Sequence, residues 1–321
     1  MNILERVYLF FYNKKKQKIL KTQKALPYPV ISIGNLTVGG TGKTSFTVEL
    51  SKILIKEGYF PVVLTRGYRG KIRKPHIVTV SDKPEDVGDE ALMMAEEGLT
   101  VVKGIDRYEA GAYAIERLNL GKNTVFVLDD GFQHWSLKKD LNILLFDGYR
   151  GVGNSRLIPL GILRSPLSEI SEADMIFITK KENEILSQTL KALSGKEIFF
   201  CPVNILGFFN KNKDELIPES QKLFAFAGIG SFESFLDLLK KEDFKILGYK
   251  KFIDHKKYTE KTIRRIIRLA EGCDFIVTTK KDFVKIKRFK DTPSNIYYID
   301  FSFQIPKRAI ILILEKIKNL T

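Results

Sequence analysis

The stretch Tyr28-Pro-Val-Ile-Ser-Ile-Gly-Asn-Leu-Thr-Val-Gly-Gly-Thr-Gly-Lys-Thr44 decides the fold class of this chain. An apolar run ends in a glycine-rich turn, a lysine and a threonine, and an amphipathic stretch follows over residues 45–56. This order of strand, loop and helix is typical of a phosphate-binding P-loop. The backbone N–H groups of such a loop, with a helix N-terminus behind them, form a concave site for polyphosphate oxygens. The pattern therefore predicts a nucleotide-phosphate site, although the strict motif has glycine where this chain has Thr37.

The Lys43 ammonium is predicted to reach the β- and γ-phosphates, and the Thr44 hydroxyl to hold Mg²⁺. The alternative interpretation is a glycine-rich turn that contains Gly-Lys-Thr by accident. The flanking strand and helix patterns favour the phosphate site. The residues predicted to bind the nucleotide are Thr37, Val38, Gly39, Gly40, Thr41, Gly42, Lys43 and Thr44.

The composition is that of a globular protein in a reducing compartment. The 321 residues suffice for one large or two ordinary α/β domains, and 44% of them are hydrophobic. Cys201 and Cys273 have no metal-like spacing and predict no disulfide framework. No apolar run approaches the roughly 18 residues that span a bilayer, and no secretory signal is visible. We expect a protein of the cytosol or of the cytosolic face of a membrane.

The net charge of +15 is concentrated in two zones. Residues 1–26 contain seven basic residues and one acidic residue, and residues 240–290 contain seventeen basic and seven acidic residues. Such zones indicate a polyanionic partner, either nucleic acid or anionic lipid. Apolar and aromatic residues precede the lysines of the first zone, which is typical of a helix in the headgroup layer of a membrane. The alternative is an ordinary helix packed on the domain, with its lysines in solvent.

Short β-branched runs alternate with amphipathic stretches between residues 30 and 178. Strands are predicted over 30–33, 61–64, 78–80, 101–102, 124–128, 142–146 and 175–179, and helices over 45–56, 89–97 and 106–118. This alternation predicts an α/β fold of the P-loop NTPase type, with a doubly wound, mostly parallel sheet. A predicted loop over 205–220 leads to a second, smaller α/β pattern that ends in a helix over 307–318. The predicted domains are a basic membrane-associating helix (1–26), a core (27–215) and a second α/β domain (216–321).

The apolar stretch 124–128 ends in two carboxylates, Asp129 and Asp130. An acid at the tip of such a strand can reach Mg²⁺ beside the P-loop threonine. Acids commonly follow strands, but the upstream P-loop favours the metal role. Gly131 allows a tight turn that could aim His134 back at the site.

Asp89 begins a predicted helix and has two interpretations. Its carboxylate caps the helix, or it accepts a hydroxyl proton and orients a nucleophile. His255, in the second half of the chain, could act with it, because a histidine base is useful when a carboxylate tunes it. A lone surface histidine usually has no chemical role, so the pairing is a hypothesis.

Two further motifs leave alternatives open. Arg107 and Arg164 lie beside turn residues, where a guanidinium can bind phosphate in a bidentate manner, although solvated arginines are commoner. Thr279-Lys-Lys-Asp282 follows an apolar run and imitates the [NT]-K-x-D motif with which GTPases read guanine. It keeps a GTPase interpretation open.

Taken in order along nearly the whole chain, these motifs resemble the bacterial tetraacyldisaccharide 4′-kinases of lipid A biosynthesis. Two departures are visible, because relatives typically have proline where Ser45 stands and an acidic residue where Ser165 stands. The strings that carry the resemblance are Gly34-Asn-Leu-Thr-Val-Gly-Gly-Thr-Gly-Lys-Thr44, Thr65-Arg-Gly-Tyr68, Val87-Gly-Asp-Glu90, Asp129-Asp-Gly-Phe-Gln-His134, Pro159-Leu-Gly-Ile-Leu-Arg164, Phe226-Ala-Gly-Ile229, Asp254-His255 with Tyr258, and Thr279 to Lys285.

The resemblance implies transfer of the γ-phosphoryl group of ATP, with Mg²⁺, to the 4′-hydroxyl of an acylated glucosamine disaccharide 1-phosphate. It also implies two α/β/α domains that close over a cleft. Because such a lipid stays in the inner membrane, the implied enzyme is peripheral or monotopic on the cytoplasmic face and has the anionic membrane surface as a partner. Lysines near that surface each contribute about 1 kcal/mol.

Residue roles follow from the same resemblance. Asp89 would be the base, or would orient the hydroxyl, with His255 as its partner. Lys43 and the loop amides would stabilise charge on the phosphoryl oxygens. The implied Mg²⁺ ligands are Thr44, Glu90 and Asp129, the implied supporting groups are Asp130, His134, Asp254 and Tyr258, and the implied phosphate contacts are Arg107 and Arg164.

Two other classes compete with this kinase interpretation. One is a P-loop GTPase or metallochaperone-type switch, which the 279–282 motif supports but its position beyond the predicted loop disfavours. The other is a nucleic-acid-binding ATPase, which the basic residues 240–290 permit. No nucleic-acid-binding motif supports it, and we expect no nucleic acid partner.

Overall fold

The computed structural model describes residues 2–254, 256–290 and 292–320. The helices are α1 (Ile3–Leu20), α2 (Lys43–Lys56), α3 (Pro84–Val87), α4 (Asp89–Glu96), α5 (Arg107–Arg117), α6 (Glu184–Ser194), α7 (Phe232–Leu239), α8 (Glu260–Leu269), α9 (Lys280–Ile286) and α10 (Lys307–Lys318), with a 3-10 helix at Leu167–Glu172. The strands are β1 (Val30–Gly34), β2 (Phe60–Thr65), β3 (His76–Val78), β4 (Thr100–Lys103), β5 (Thr124–Asp129), β6 (Leu141–Asp147), β7 (Met175–Lys180), β8 (Ile198–Phe209), β9 (Gln221–Ala227), β10 (Phe244–Lys251), β11 (Phe275–Thr279) and β12 (Ile296–Phe303).

The chain divides into two compact units. Unit 1 comprises residues 1–202 together with 303–321, and unit 2 comprises residues 203–302. The C-terminal helix α10 thus belongs with the first unit, whereas the predicted second domain begins at residue 216 and includes this helix. The two units are defined by contacts within the chain, and the predicted domain boundaries at residues 26 and 215 stay a prediction.

Unit 1 is built on a sheet in the order β8-β7-β6-β1-β5-β2-β4-β3. The neighbouring strands are parallel from β8 to β4, and β3 is antiparallel to β4. The central strand β1 is buried along its whole length, as expected for a strand with helices on both faces. The predicted α/β fold with a doubly wound, mostly parallel sheet is confirmed. The P-loop and the acidic end of β5 meet at the carboxyl edge of this sheet, where such folds bind ligands.

Helix α1 packs on unit 1 through one of its faces. Glu5 is buried and accepts a hydrogen bond from the backbone N–H of Leu157 at 3.2 Å. Tyr12 stacks edge-on against Trp135, with ring centroids 5.1 Å apart. Lys16 forms an ion pair with Glu169. The sequence allowed this helix to be either interfacial or packed on the domain. In the structure, the face that carries Glu5, Tyr12 and Lys16 packs on the core. Among the described residues, no helix has the length and apolar content needed to cross a membrane.

Unit 2 has a parallel sheet in the order β10-β9-β11-β12. Aromatic side chains dominate one face of its core, where Phe226, Phe283 and Tyr298 pack with Tyr258. The predicted loop over 205–220 is shorter in the structure, because residues 205–209 continue strand β8. Gly207, together with Asn210, Asn212, Lys213 and Asp214 just after the strand, made the end of β8 look like a loop in the sequence.

Candidate active site

The P-loop connects β1 to α2 through two glycines with positive φ. Gly39 has φ +108° and Gly42, the residue before α2, has φ +88°, a backbone conformation that favours glycine. A Cβ atom on Gly42 would also lie 2.6 Å from the ring of Phe303, so this position has no room for a side chain. Thr41 is buried, and its hydroxyl has no hydrogen-bond partner among the described residues. An unpartnered buried hydroxyl within a glycine-rich loop fits a bound phosphate oxygen.

Contacts from neighbouring loops hold the P-loop in place. The Lys180 ammonium, at the end of β7, donates to the Gly40 carbonyl and forms an ion pair with Asp147 at the end of β6. The Thr179 hydroxyl donates to the Thr41 carbonyl at 2.9 Å. Arg150 donates to the Val38 carbonyl at 3.2 Å. None of these residues was predicted from the sequence, where the only signal was a lysine directly after a predicted strand.

Lys43 points into the same end of the sheet. Its Nζ atom donates to Asn35 Oδ1 at 3.2 Å and lies 3.6 Å from Asp130 Oδ1. The ammonium is therefore held by an amide oxygen and a carboxylate at the mouth of the loop. A point charge in this position suits the phosphates that the loop amides would bind.

Asp129 lies beneath the P-loop at the end of β5. Its Oδ2 atom is 3.4 Å from the Thr44 hydroxyl and its Oδ1 atom 3.4 Å from the Thr47 hydroxyl. Desolvation, with repulsion from the carboxylates of Glu90 and Asp130, raises the pKa of Asp129 to about 7. The Glu90 carboxylate is therefore one of the charges that act on Asp129, and its role as a Mg²⁺ ligand stays a prediction.

These oxygens fit Mg²⁺, which nucleotide sites bind through one or two carboxylates plus the substrate phosphates. A divalent cation bound here would relieve the repulsion between Asp129 and the carboxylates of Glu90 and Asp130, which contributes to the raised pKa of Asp129. No cluster of three or more His, Cys, Asp or Glu side chains that could hold a metal ion occurs in the part of the chain that the structure describes.

Asp130 is bound by Arg164 at both carboxylate oxygens. The same guanidinium donates to the carbonyl oxygen of Asn35 at 3.2 Å and to the side-chain oxygen of that residue. Burial opposes ionisation of Asp130, but Lys43 and Arg164 hold its pKa well below the ordinary value. Asp130 is thus an ionised anchor for two cations and has little tendency to take a proton. The structure brings Lys43, Asp130 and Arg164 together.

Arg107 and His134 form a second pair beside these carboxylates. The backbone N–H of Arg107 donates to His134 Nε2 at 3.1 Å, and the Ser136 hydroxyl lies 2.9 Å from the same nitrogen. Desolvation and the nearby Arg107 charge lower the pKa of His134 to about 4, so the imidazole is neutral and acts as an acceptor. Arg107 is buried at the start of α5, and within the described residues its Nε atom has no partner. That guanidinium remains able to donate to an anionic ligand.

Asp89 is the first residue of α4 and is buried. Gly88 before it has φ +95° and ψ 144°, and the Gly88 position is packed against the backbone of Gly67 and Tyr68. The buried Lys103 ammonium donates to the Asp86 carbonyl at 3.0 Å and so supports the short segment that leads to Asp89. The carboxylate therefore lies on a rigid turn at a helix N-terminus, where the negative charge is favourable.

Three predicted site residues belong to unit 2. Asp254 lies 3.4 Å from the Lys281 ammonium. Tyr258 is buried among aromatic rings, with the Phe252 centroid at 5.6 Å, which is ordinary core packing. His255 lies outside the described residues. The pairing of Asp89 with His255 therefore stays a prediction.

The motif that imitates guanine recognition has a structural explanation in unit 2. Thr279 is the N-cap of α9, and its hydroxyl accepts from the backbone N–H of Asp282 at 3.2 Å. Asp282 is fully buried, accepts from the Gly228 N–H at 2.6 Å and pairs with Lys285 at 2.9 Å. These contacts occupy both carboxylate oxygens with the protein's own groups. The motif therefore caps a helix, and its support for a GTPase is withdrawn.

Comparison with known proteins gives one consistent result. Residues 1–318 match the family model described as Tetraacyldisaccharide-1-P 4'-kinase. The tetraacyldisaccharide 4'-kinase of Desulfotalea psychrophila is 38% identical over 287 residues, which cover 83% of this chain and 81% of that protein. A crystal structure of LpxK from Aquifex aeolicus in complex with ATP has a TM-score of 0.78 at 31% identity and covers 98% of this chain and 97% of that chain. The chain therefore belongs to the tetraacyldisaccharide-1-P 4'-kinase family.

Proposed function

We propose that this protein transfers the γ-phosphoryl group of ATP to the 4′-hydroxyl of an acylated glucosamine disaccharide 1-phosphate, a step of lipid A biosynthesis. The observation that carries the proposal is the placement of Thr44 beside Asp129 at the base of a P-loop with an unpartnered Thr41 hydroxyl. Family membership supports the lipid substrate. The related structure in complex with ATP supports the nucleotide.

In this proposal the phosphates lie on the P-loop. The loop amides and Lys43 bind the β- and γ-phosphates and stabilise charge on the oxygens of the transferred group. Thr44 and Asp129, with Glu90, would hold Mg²⁺, which neutralises phosphate charge when bound. Arg164 and Arg107 would bind a phosphate of the nucleotide or the 1-phosphate of the lipid. Arg164 donates to Asp130, and the charges of Asp129 and Asp130 act on Arg107, which supports this role for both guanidinium groups.

We assign the proton of the attacking hydroxyl to Asp89. The carboxylate is buried on a rigid turn, so its position is set before the substrate binds. It would accept the hydroxyl proton as the oxygen attacks the γ-phosphorus, and ADP would leave from the P-loop. Asp130, whose pKa is depressed, would remain ionised throughout and hold Lys43 and Arg164. The role of His255 as a partner of Asp89, with Asp254 and Tyr258 in support, remains part of the proposal.

The outer face of α1 supports the proposal that the protein binds to the cytoplasmic face of the inner membrane. Ile3, Leu4, Val7, Phe10 and Phe11 are between 50% and 73% exposed. An exposed stripe of large apolar residues on one helix, with lysines nearby, is typical of an interfacial segment. Lys14, Lys15 and Lys18 are exposed on the following turns and would attract anionic lipid headgroups.

The test is a transfer assay with γ-labelled ATP and the acylated disaccharide 1-phosphate in mixed micelles, with Mg²⁺. The proposal predicts a bisphosphorylated lipid and no label transfer to glucosamine alone. The same assay is repeated with γ-labelled GTP in place of ATP, and we expect much weaker phosphoryl transfer from GTP. Label that stays in nucleotide or free phosphate, with the lipid unchanged, would contradict the proposed function.

A further inference from the structure

We propose that Tyr8 and Tyr12 of helix α1 are positioning residues for Arg164, so that docking of this helix sets the geometry of the phosphate site. The inference rests on the proposed function, because it concerns the regulation of the same site. It connects the lipid-facing helix to the catalytic end of the sheet through hydrogen bonds within unit 1.

The two tyrosines hold consecutive residues of one loop. The Tyr8 hydroxyl donates to the Arg164 carbonyl at 2.8 Å. The Tyr12 hydroxyl oxygen lies 3.0 Å from the Ser165 hydroxyl and 2.8 Å from Glu169 Oε2. A phenol has one proton and a carboxylate only accepts, so the Tyr12 proton lies toward Glu169 and Ser165 supplies the other hydrogen. The loop that carries Arg164 is thereby held from the side of α1.

This contact is part of a buried polar network. Lys16, one turn after Tyr12, pairs with Glu169. On the other side, the Gln133 amide donates to the Ser165 hydroxyl at 2.8 Å and to the Asn35 carbonyl at 2.8 Å. Burial raises the pKa of both tyrosines, so their hydroxyls remain protonated donors at neutral pH. Every polar group named here has a partner, and a fully satisfied network of this kind rigidifies the loop.

The same loop residue reaches the phosphate site. Arg164 binds both oxygens of Asp130 and the side-chain oxygen of Asn35. Lys43 donates to that Asn35 oxygen at 3.2 Å. Helix α1 is therefore connected to the P-loop lysine through Tyr8, Arg164 and Asn35. A shift of about 1 Å at a catalytic group is enough to reduce turnover substantially.

The two faces of α1 have different partners. Glu5, Tyr8, Tyr12 and Lys16 are spaced by three or four residues and contact the core, as one helical stripe does. The apolar residues from Ile3 to Phe11 described above form the exposed stripe. The structure thus assigns to this helix a role in activity as well as in attachment.

The experiment compares Tyr8→Phe, Tyr12→Phe and the double variant in the wild-type chain and in an Arg164→Ala background. Phenylalanine retains the ring, including the Tyr12 contact with Trp135, and removes only the hydroxyl. Tyr297→Phe serves as the matched control, because this half-buried tyrosine packs against Phe275 in unit 2. We expect kcat of the double variant to fall by about tenfold, with KM for ATP changed less than threefold and the control unchanged.

In the Arg164→Ala background the tyrosine substitutions should cause no further loss, because they act through that residue. The inference would be overturned if the tyrosine substitutions reduced kcat as much in the Arg164→Ala background as in the wild-type chain. Full activity of the double variant in the wild-type chain would overturn it as well. A wild-type protein that transfers no phosphate to lipid would contradict the proposed function instead. Hydrogen exchange of residues 157–169 then still tests the inference, since the double variant must lose protection there and unchanged protection would refute it.

Discussion

The Arg164 guanidinium donates to both carboxylate oxygens of Asp130, and the Lys43 ammonium lies 3.6 Å from one of them. Two cations therefore share one carboxylate at the mouth of the P-loop. Burial opposes its ionisation, but these cations hold the pKa of Asp130 far below its usual range. The adjacent Asp129 has the opposite shift, to a pKa of about 7. Neighbouring carboxylates at the same strand end thus have opposite pKa shifts: Asp130 anchors two cations, and Asp129 is the residue that would hold Mg²⁺ in the proposed mechanism.

The paired geometry of Arg164 predicts that lysine cannot replace it. Arg164→Lys keeps the charge but loses the planar fork that reaches Asp130 and Asn35 together. We expect kcat/KM to fall by about ten- to hundredfold with the fold retained. Arg156→Lys is the control, because that arginine is about half exposed and pairs with Glu5 at 3.5 Å. Equal activity of Arg164→Lys and the wild type in the lipid transfer assay would argue against the bidentate contact as a requirement.

The ion pair of Lys180 with Asp147 predicts separable effects on stability and on nucleotide binding. Lys180→Met leaves the Asp147 carboxylate buried without its cation, which costs about 3–5 kcal/mol in the free energy of unfolding. The added change Asp147→Asn removes that charge and should restore most of the stability. ATP affinity should stay reduced in both variants, because the Gly40 carbonyl has lost its donor in each. Chemical denaturation and ATP titration measure the two effects, and recovery of ATP affinity in the double variant would contradict this role of Lys180.

The buried neutral imidazole of His134 predicts a pH-dependent contribution to stability. Its pKa is lowered from 6.5 to about 4, so at pH values between these limits the unfolded chain binds the proton and the folded chain does not. The contribution of His134 is therefore fully present above pH 6.5 and is lost as the pH falls toward 4. The full shift corresponds to at most about 3 kcal/mol. Unfolding of wild type and His134→Gln between pH 4 and pH 7.5 should diverge in slope below pH 6.5, and parallel curves would show that this histidine does not titrate as stated.

The exposed stripe of α1 predicts that polar substitutions on its outer face weaken membrane binding and leave the fold intact. Replacing Phe10 and Phe11 by serine removes two large apolar side chains from the outer face. Partitioning onto vesicles with anionic lipid should fall by tenfold or more, since each buried aromatic side chain contributes about 1.5–3 kcal/mol. Ile185→Ser is the control, because Ile185 is 80% exposed on α6 and belongs to no such stripe. If partitioning is the same for the double variant and the control, α1 is not the contact with lipid.

The sequence predicted the sheet of unit 1 well, because buried parallel strands leave a strong local signal. Six of the seven runs from 30–33 to 175–179 lie on a strand, whereas the run 78–80 overlaps β3 only at Val78. The predicted helix over 307–318 has the observed bounds of α10. Helix α6 and strand β12 were missed, and residues 205–209 at the end of β8 were taken for the start of a loop. In β8 the apolar residues are broken by Pro202 and Gly207, and its burial depends on neighbours distant in the chain.

Local motifs also found the P-loop and the acidic end of β5, but not the residues that hold them. Lys180 contacts a carbonyl 140 residues away in the chain, and Tyr8 a carbonyl 156 residues away. No periodicity or spacing encodes such pairs, which depend on the finished topology. The motif at Thr279 misled for a related reason, since a threonine followed by an aspartate three residues later also caps a helix. Context, rather than the motif, decides between the two.

The turnover of Asp89→Asn, measured alongside its ATP affinity, tests the central claim most directly. Asparagine is isosteric with aspartate but cannot accept the hydroxyl proton, so kcat for lipid phosphorylation should fall by about 10²- to 10⁴-fold. The dissociation constant for ATP should stay within threefold of wild type, and Glu85→Gln, an exposed acid on α3, should change neither quantity. Turnover within tenfold of wild type, or a loss of ATP affinity as large as the loss of turnover, would contradict Asp89 as the group that activates the acceptor hydroxyl.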